Sequence, residues 1–224
     1  MKYGDATSRD ALILPVYHEP SAQVVSLLSA INSFCIQDLV IYVAGKALSE
    51  DDVKLYSALP NVCVDNTANE DLSTQLLRMI GKIESERIAV MDSDFQHPPS
   101  VLPELFASMY TAQYFDFVVA KRRKYNMSRY RLFISHFFSC LIKLRLCRYY
   151  QVDVLSGFFV FRKTTVAYNK AVPMRFKILL SLLRTNSKYR VGSILFDMQR
   201  RTSGVSKANY KEALRLAKYI VLGK

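Results

Sequence analysis

Short apolar β-rich runs alternate with helical patterns through the first hundred residues, and that alternation limits the fold more than any other feature. Ala11-Leu12-Ile13-Leu14-Pro15-Val16 reads as a buried strand ending in a turn. Val24, Leu27, Leu28 and Ile31 then recur at the i, i+3, i+4, i+7 spacing of one helix face. Residues 39–43 form a second strand, and Ser49 with Glu50, Asp51 and Asp52 marks a helix start. Residues 62–64 give a third strand, 72–83 a helix, and 87–91 a fourth strand that stops at Asp92. Strand–helix alternation at this interval predicts right-handed βαβ units and a mostly parallel sheet. In such a sheet, ligands bind beyond the carboxyl ends of the strands, which is where Asp92 falls.

The pattern loosens after residue 100. Residues 102–110 read as a helix opened by Pro98-Pro99-Ser100, 117–120 as a strand, and Lys121-Arg122-Arg123-Lys124 as a basic loop. Helix is predicted for 128–147, 176–183 and 208–222, and strand for 158–161 and 189–196. There is no internal repeat and no linker rich in Pro, Gly or Ser, so 1–224 is read as a single domain.

Charge divides the chain. Residues 1–100 hold 7 Lys and Arg against 14 Asp and Glu, whereas 101–224 hold 24 against 5. A basic half this distinct points to phosphate-bearing partners: nucleic acid, anionic lipid or a phosphorylated substrate. The four cysteines lack C-x-x-C spacing, so neither a zinc site nor a disulfide framework is indicated. The start of the chain has no apolar h-region, and no run reaches the roughly 18 apolar residues of a membrane span. The expectation is a protein made in the cytosol that lies on a membrane if it meets one.

Two groups of residues carry chemistry. The first is Asp92-Ser93-Asp94-Phe95-Gln96-His97-Pro98-Pro99. Two carboxylates one residue apart at a strand end can face a divalent cation and a diphosphate together. Hard cations take oxygen ligands and keep substrate phosphates in their shell. The second group lies on the basic side. Ser128, Arg131, Ser135, Ser139 and Lys143 make a polar stripe on a segment otherwise filled by Leu132, Phe133, Ile134, Phe137, Phe138, Leu141 and Ile142. That composition suits an amphipathic helix in a membrane interface, with basic residues toward headgroups, the alternative for the apolar face being an ordinary core helix. The apolar helix and the carboxylate pair have no use in a nucleic-acid-binding domain, so nucleic acid is not the expected partner.

The carboxylate run resembles the Asp-Ala-Asp-Leu-Gln-His-Pro-Pro run of dolichol-phosphate mannose synthases and related polyprenyl-phosphate glycosyltransferases, inverting enzymes of the GT-A fold. Leu14-Pro15-Val16-Tyr17-His18-Glu19 is similar to the family's opening Leu-Pro-Thr-Tyr-Asn-Glu. Asp153-Val154-Leu155-Ser156-Gly157-Phe158 is similar to its Asp-Pro-Thr-Ser-Gly-Phe, and Arg201 to Lys207 to its Arg-x-x-Gly-x-Ser-Lys. The resemblance implies an α/β GT-A sheet flanked by helices, with a nucleotide-sugar half over 1–100 and a membrane-facing acceptor half over 101–224. It places Pro15, Tyr17, Glu19, Asp92, Asp94, Arg201 and Lys207 around a nucleoside-diphosphate sugar. Asp94, Gln96 and Asp92 would hold Mg2+ or Mn2+. Arg122, Arg131 and Ser135 would grip the phosphate of a polyprenyl phosphate, with Asp92, Asp94 and Arg131 central to catalysis. The implied reaction moves a hexose, by default mannose from GDP-mannose and otherwise a UDP-hexose, onto a dolichyl-type phosphate at the cytoplasmic face of a membrane. The enzyme would be peripheral, with a small membrane-spanning partner a further expectation. None of the three histidines is assigned a catalytic role.

Two family features are missing. The family's Val-Asp-Asp-Gly-Ser after the second strand is here Val43-Ala44-Gly45-Lys46-Ala47, without a carboxylate. Its Asn-x-Gly-Leu-Gly turn is here Asn69-Glu70-Asp71-Leu72-Ser73, without glycine. Asp65 and Glu70 stand as candidate replacements in the base pocket. The open alternatives are an altered donor, weak donor binding, or a catalytically dead scaffold that binds lipid phosphate.

Overall fold

The computed structural model describes residues 10–17, 19–67, 70–111, 114–123, 149, 152–173 and 177–199. The strands are β1 (Asp10–Val16), β2 (Leu39–Gly45), β3 (Val62–Asn66), β4 (Arg87–Val90), β5 (Phe117–Arg122), β6 (Phe159–Arg162) and β7 (Val191–Phe196). The helices are α1 (Ser21–Ser33), α2 (Glu50–Ser57), α3 (Leu72–Lys82), α4 (Leu102–Thr111) and α5 (Ile178–Leu183). One seven-stranded sheet joins the strands in the order β3-β2-β1-β4-β6-β5-β7. Pairing is parallel throughout except at β6, which runs antiparallel to both β4 and β5. The expected mostly parallel α/β sheet is therefore present, with one reversed strand that the sequence pattern did not announce.

The strands are apolar on both faces because helices cover both. Ala11 and Ile13 of β1 join a core layer with Leu76, Met79 and Ile80 of α3. Leu12, Leu14 and Val16 join the opposite layer with α1 and α4. Near-continuous apolar strands are what a doubly covered parallel sheet requires. The four α1 residues picked out by spacing, Val24, Leu27, Leu28 and Ile31, are its buried residues. Each stabilises the fold by roughly 1.5–3 kcal/mol through burial. Ser49 caps α2 as read from sequence, accepting from the Asp52 amide at 3.1 Å.

The basic run 121–124 differs from its reading as a loop. Lys121 and Arg122 continue β5, paired with Leu195 and Phe196 of β7. An edge-ward strand end can carry long charged side chains because their tips reach solvent. The expected helices at 128–147 and 208–222 lie outside the described residues. Among the described residues, no helix is long and apolar enough to cross a membrane.

Candidate active site

Chain direction reverses around β1. The chain runs outward from β1 to β2 and β3, and then β4 pairs on the other flank of β1. The crevice beyond the carboxyl ends of β1 and β4 is therefore the switch point where ligands bind in such sheets. The residues that follow these two strands are Tyr17 and Glu19 on one side and Asp92, Ser93 and Asp94 on the other.

Hydrogen bonds hold both loops. Met91 N donates to Ile13 O at 3.1 Å, so the ladder continues past β4. Ser93 Oγ donates to Pro15 O at 2.6 Å, and Gln23 Nε2 donates to Ser93 O at 3.3 Å. Pro15 thus lies within β1 with its carbonyl fastening the carboxylate loop. Glu19 accepts from the Tyr17 amide at 2.7 Å and shapes the turn after β1.

Phe95 sits at φ 59°, in the left-handed region that a bulky side chain rarely adopts. Its ring packs against the α1–α4 core layer, which holds the backbone there. The turn lets the Gln96 amide donate to Asp94 Oδ1 at 3.1 Å. Gln96 O in turn accepts from Gln199 N at 3.1 Å, tying the loop to the segment after β7. Strain of this kind, roughly 1–3 kcal/mol, persists where surrounding structure over-determines the backbone.

Asp92 is the exposed member of the pair, its side chain 53% accessible. Its carboxylate lies directly over Gly157, where a Cβ would come within 2.3 Å of Oδ2. Reversal of β6 explains this contact. Val90 pairs with Phe159, so the residues entering β6 meet those leaving β4. Ser156, next to Gly157, is buried, its Oγ accepting from Phe158 N at 3.1 Å and donating to Ala120 O at 3.0 Å. It is a joint between β5 and β6.

His97 sits behind Asp92 and is 4% exposed. Its ring packs against Phe158 and Phe196, with centroid distances of 5.1 and 5.6 Å, and those two rings meet each other at 5.9 Å. Nδ1 is buried without a hydrogen-bond partner and lies 3.8 Å from Asp92 Oδ2. Burial holds the imidazole below its usual pKa range, against the pull of Asp92 and Asp94. An unpartnered buried polar atom costs about 1–3 kcal/mol.

Cations enter from the other side. Arg122, at the end of β5, donates from Nε to Asp153 Oδ2 at 2.9 Å, with about a third of its side chain exposed. Lys177, just before α5, donates to Leu155 O at 3.4 Å. Burial draws its ammonium below the usual lysine range; Asp92 and Asp153 oppose that fall and Arg122 adds to it. Sequence reading did not single out Lys177. A lysine opening the run Lys177-Ile178-Leu179-Leu180 looks like a helix boundary until tertiary structure brings it to the carboxylates.

The structure brings together Pro15, Tyr17, Glu19, Asp92, Asp94, Gln96 and Arg122 at this end of the sheet. Arg131, Ser135, Arg201 and Lys207 lie outside the described residues. The two candidate base-pocket carboxylates are engaged elsewhere. Arg78 donates to both oxygens of Asp65, at 2.8 and 3.1 Å, and from Nε to Glu70 at 3.0 Å. At the end of β2, Lys46 places Nζ 5.1 Å from the Tyr17 ring centroid.

Among the described residues, no group of three or more His, Cys, Asp or Glu side chains could enclose a metal. The residues still suit a hard cation, because Mg2+-type ions are held by one or two carboxylates, with phosphates and water completing the shell. Asp92 offers a half-exposed carboxylate at the crevice, and Asp94 stands two residues on in the fastened turn.

The described residues thus set a carboxylate pair at the switch point of an open α/β sheet, with Arg122 and Lys177 opposite. Solved structures share this fold. Glucosyl-3-phosphoglycerate synthase from Mycobacterium tuberculosis, crystallised with Mn2+, UDP and glucosyl-3-phosphoglycerate, superposes with a TM-score of 0.72 at 14% identity, over 96% of this chain and 77% of that one. The same synthase with Mn2+, UDP-glucose and glycerol 3-phosphate gives 0.70 at 14% identity, over 96% and 78%. Dolichol-phosphate mannosyltransferase of Pyrococcus furiosus is 28% identical over 173 residues, covering 75% of this chain and 49% of the relative, so the chain spans about half that protein's length. The chain belongs to glycosyl transferase family 2, whose model matches residues 11–182. Its mostly parallel sheet with flanking helices is the GT-A fold of that family.

Proposed function

We propose that this glycosyltransferase moves a hexose from a nucleoside-diphosphate sugar to a polyprenyl phosphate, inverting the anomeric carbon. The observation that carries the reading is the Asp92-Ser93-Asp94 turn fastened at the β1–β4 switch point, with Arg122 and Lys177 across from it. Asp92, Asp94 and Gln96 would hold Mg2+ or Mn2+, which when bound offsets charge on the departing diphosphate. Arg122, with Arg131 and Ser135, would orient the acceptor phosphate, and Arg201 and Lys207 would add positive charge toward the donor. A phosphate oxygen attacks the anomeric carbon while the bond to the diphosphate breaks, and the electron pair leaves on the diphosphate. A phosphomonoester with a second pKa of roughly 6 is already substantially ionised, so no general base is required. The catalytic demand is then alignment and charge stabilisation.

Mannose from GDP-mannose is the first donor to test, on the strength of the Pyrococcus furiosus relative, and UDP-glucose the second. The division into a donor half over 1–100 and a basic acceptor half over 101–224 belongs to the same reading. So does action as a peripheral enzyme at the cytoplasmic face of a membrane, beside a small membrane-spanning partner. A second reading, a scaffold that binds lipid phosphate without turnover, draws on the base pocket: Asp65 and Glu70 are held by Arg78 and the end of β2 bears Lys46.

The deciding experiment is a screen of GDP- and UDP-hexoses with Mn2+ against a short-chain polyprenyl phosphate, reading nucleotide release, with 3-phosphoglycerate as a rival acceptor. Release that needs the polyprenyl phosphate and stops on chelation is the expected result. Release with 3-phosphoglycerate instead overturns the acceptor, and silence with every donor favours the scaffold.

A further inference from the structure

We propose that His97 is a positioning residue for Asp92. Its imidazole carries the proton on Nδ1 and donates it to the Asp92 carboxylate, holding that group toward the crevice. The inference rests on Asp92 belonging to the donor site, and it is indifferent to which sugar or acceptor is used.

The geometry leaves Nδ1 a single role. The ring is buried and packs against Phe158 and Phe196, which also meet each other. Nδ1 has no hydrogen bond and faces Asp92 Oδ2 at 3.8 Å. A carboxylate only accepts, so beside it Nδ1 is satisfied as a donor and not as a bare lone pair. The distance exceeds a hydrogen bond by less than 1 Å. Asp92 is the more mobile partner, since its side chain is half exposed whereas the imidazole is buried. The same oxygen, Oδ2, is the carboxylate atom nearest Gly157, where even a methyl group would overlap it. Asp92 thus stands against a backbone with no side chain and a ring with an unused hydrogen. A small rotation closes the contact, fixing one carboxylate oxygen and presenting the other. Residues that orient a ligating carboxylate typically alter affinity by about 10- to 100-fold when removed.

Three variants separate positioning from packing. His97→Phe keeps an aromatic ring packed against Phe158 and Phe196 but has no donor. His97→Asn sets an amide nitrogen where Nδ1 lies, and His97→Gln sets one where Nε2 lies. Binding of UDP and of GDP, each with Mn2+, is measured by calorimetry beside thermal melting. His97→Phe and His97→Gln should bind about tenfold more weakly, whereas His97→Asn stays within about threefold of the parent. The His97→Phe protein should melt no lower than the parent, because it loses a buried unpaired atom. Unchanged binding in His97→Phe overturns the proposal. So does parallel loss of melting temperature and binding in all three variants, which would mean packing alone. Nitrogen NMR of the imidazole should find the proton on Nδ1; a proton on Nε2 with Nδ1 bare also overturns it. Should the parent bind neither nucleotide, the donor reading fails, and the position of the proton alone decides the His97–Asp92 contact.

Discussion

The two ends of the central strands hold charged groups in opposite conditions. Where β1 and β4 begin, Asp10 and Arg87 are 1% and 5% accessible and are joined at 2.6 Å. Tyr110 closes the set: Arg87 Nη2 donates to its hydroxyl at 2.6 Å, and that hydroxyl donates to Asp10 Oδ2 at 3.0 Å. The guanidinium also stacks on the Tyr110 ring at 3.7 Å. Where the same strands end, Asp92 is half exposed, His97 Nδ1 has no partner, and Lys177 and Arg122 stand opposite. Buried charge that is fully satisfied ties elements together, whereas charge left incomplete is disposed toward something that arrives later. Two ends of one strand pair thus divide durability from chemistry.

The sharpest way to break the contrast is at the closed end. Arg87→Met strands Asp10 in the interior and should cost about 3–5 kcal/mol of stability, seen in urea unfolding, with little change in transfer by the molecules still folded. If turnover falls instead at unchanged stability, the two ends are not separable. At the open end, Asp94→Ala should lower transfer roughly 10²- to 10³-fold while melting stays within a few degrees, and unchanged turnover removes the metal from the account. Gly157→Ala pushes against the Asp92 carboxylate and should lower kcat about 100-fold, the scale of a 1 Å misplacement; a crystal structure of the variant would show Asp92 displaced. Lys177→Met has the mildest effect, about a tenfold loss in kcat/KM through the phosphate-bearing substrates, in keeping with one charge-assisted hydrogen bond. A purely structural Lys177 would instead lower melting temperature and leave KM alone.

Much of this was legible in the sequence, for a physical reason. Strands buried on both faces must be apolar along their length, so residues 11–16 and 39–43 read correctly, and α1 showed its buried face by spacing alone. The carboxylates were visible because a polar pair cannot continue an apolar strand. Strand direction was not visible: Phe159-Val160-Phe161 has the same composition whichever way it runs, so the meeting of Gly157 with Asp92 emerged only in three dimensions. Lys121 and Arg122 read as loop because charge looks solvated, yet backbone pairing with β7 is indifferent to side-chain tips. Asp65 and Glu70 looked available as carboxylates, but their engagement with Arg78 depends on α3 packing beside β3. His97 and Lys177 acquire significance only from what folding sets against them.

The reversed strand has one more consequence. Every other strand delivers its outgoing end to the crevice, whereas β6 delivers its incoming end. Asp153 and Gly157 therefore stand at the same end of the sheet as Asp92, and Arg162 and Lys163, at the far end, brace Glu86 and the Ile83 carbonyl. Along this short stretch, evolution could retune reactivity upstream and robustness downstream with little interference between the two.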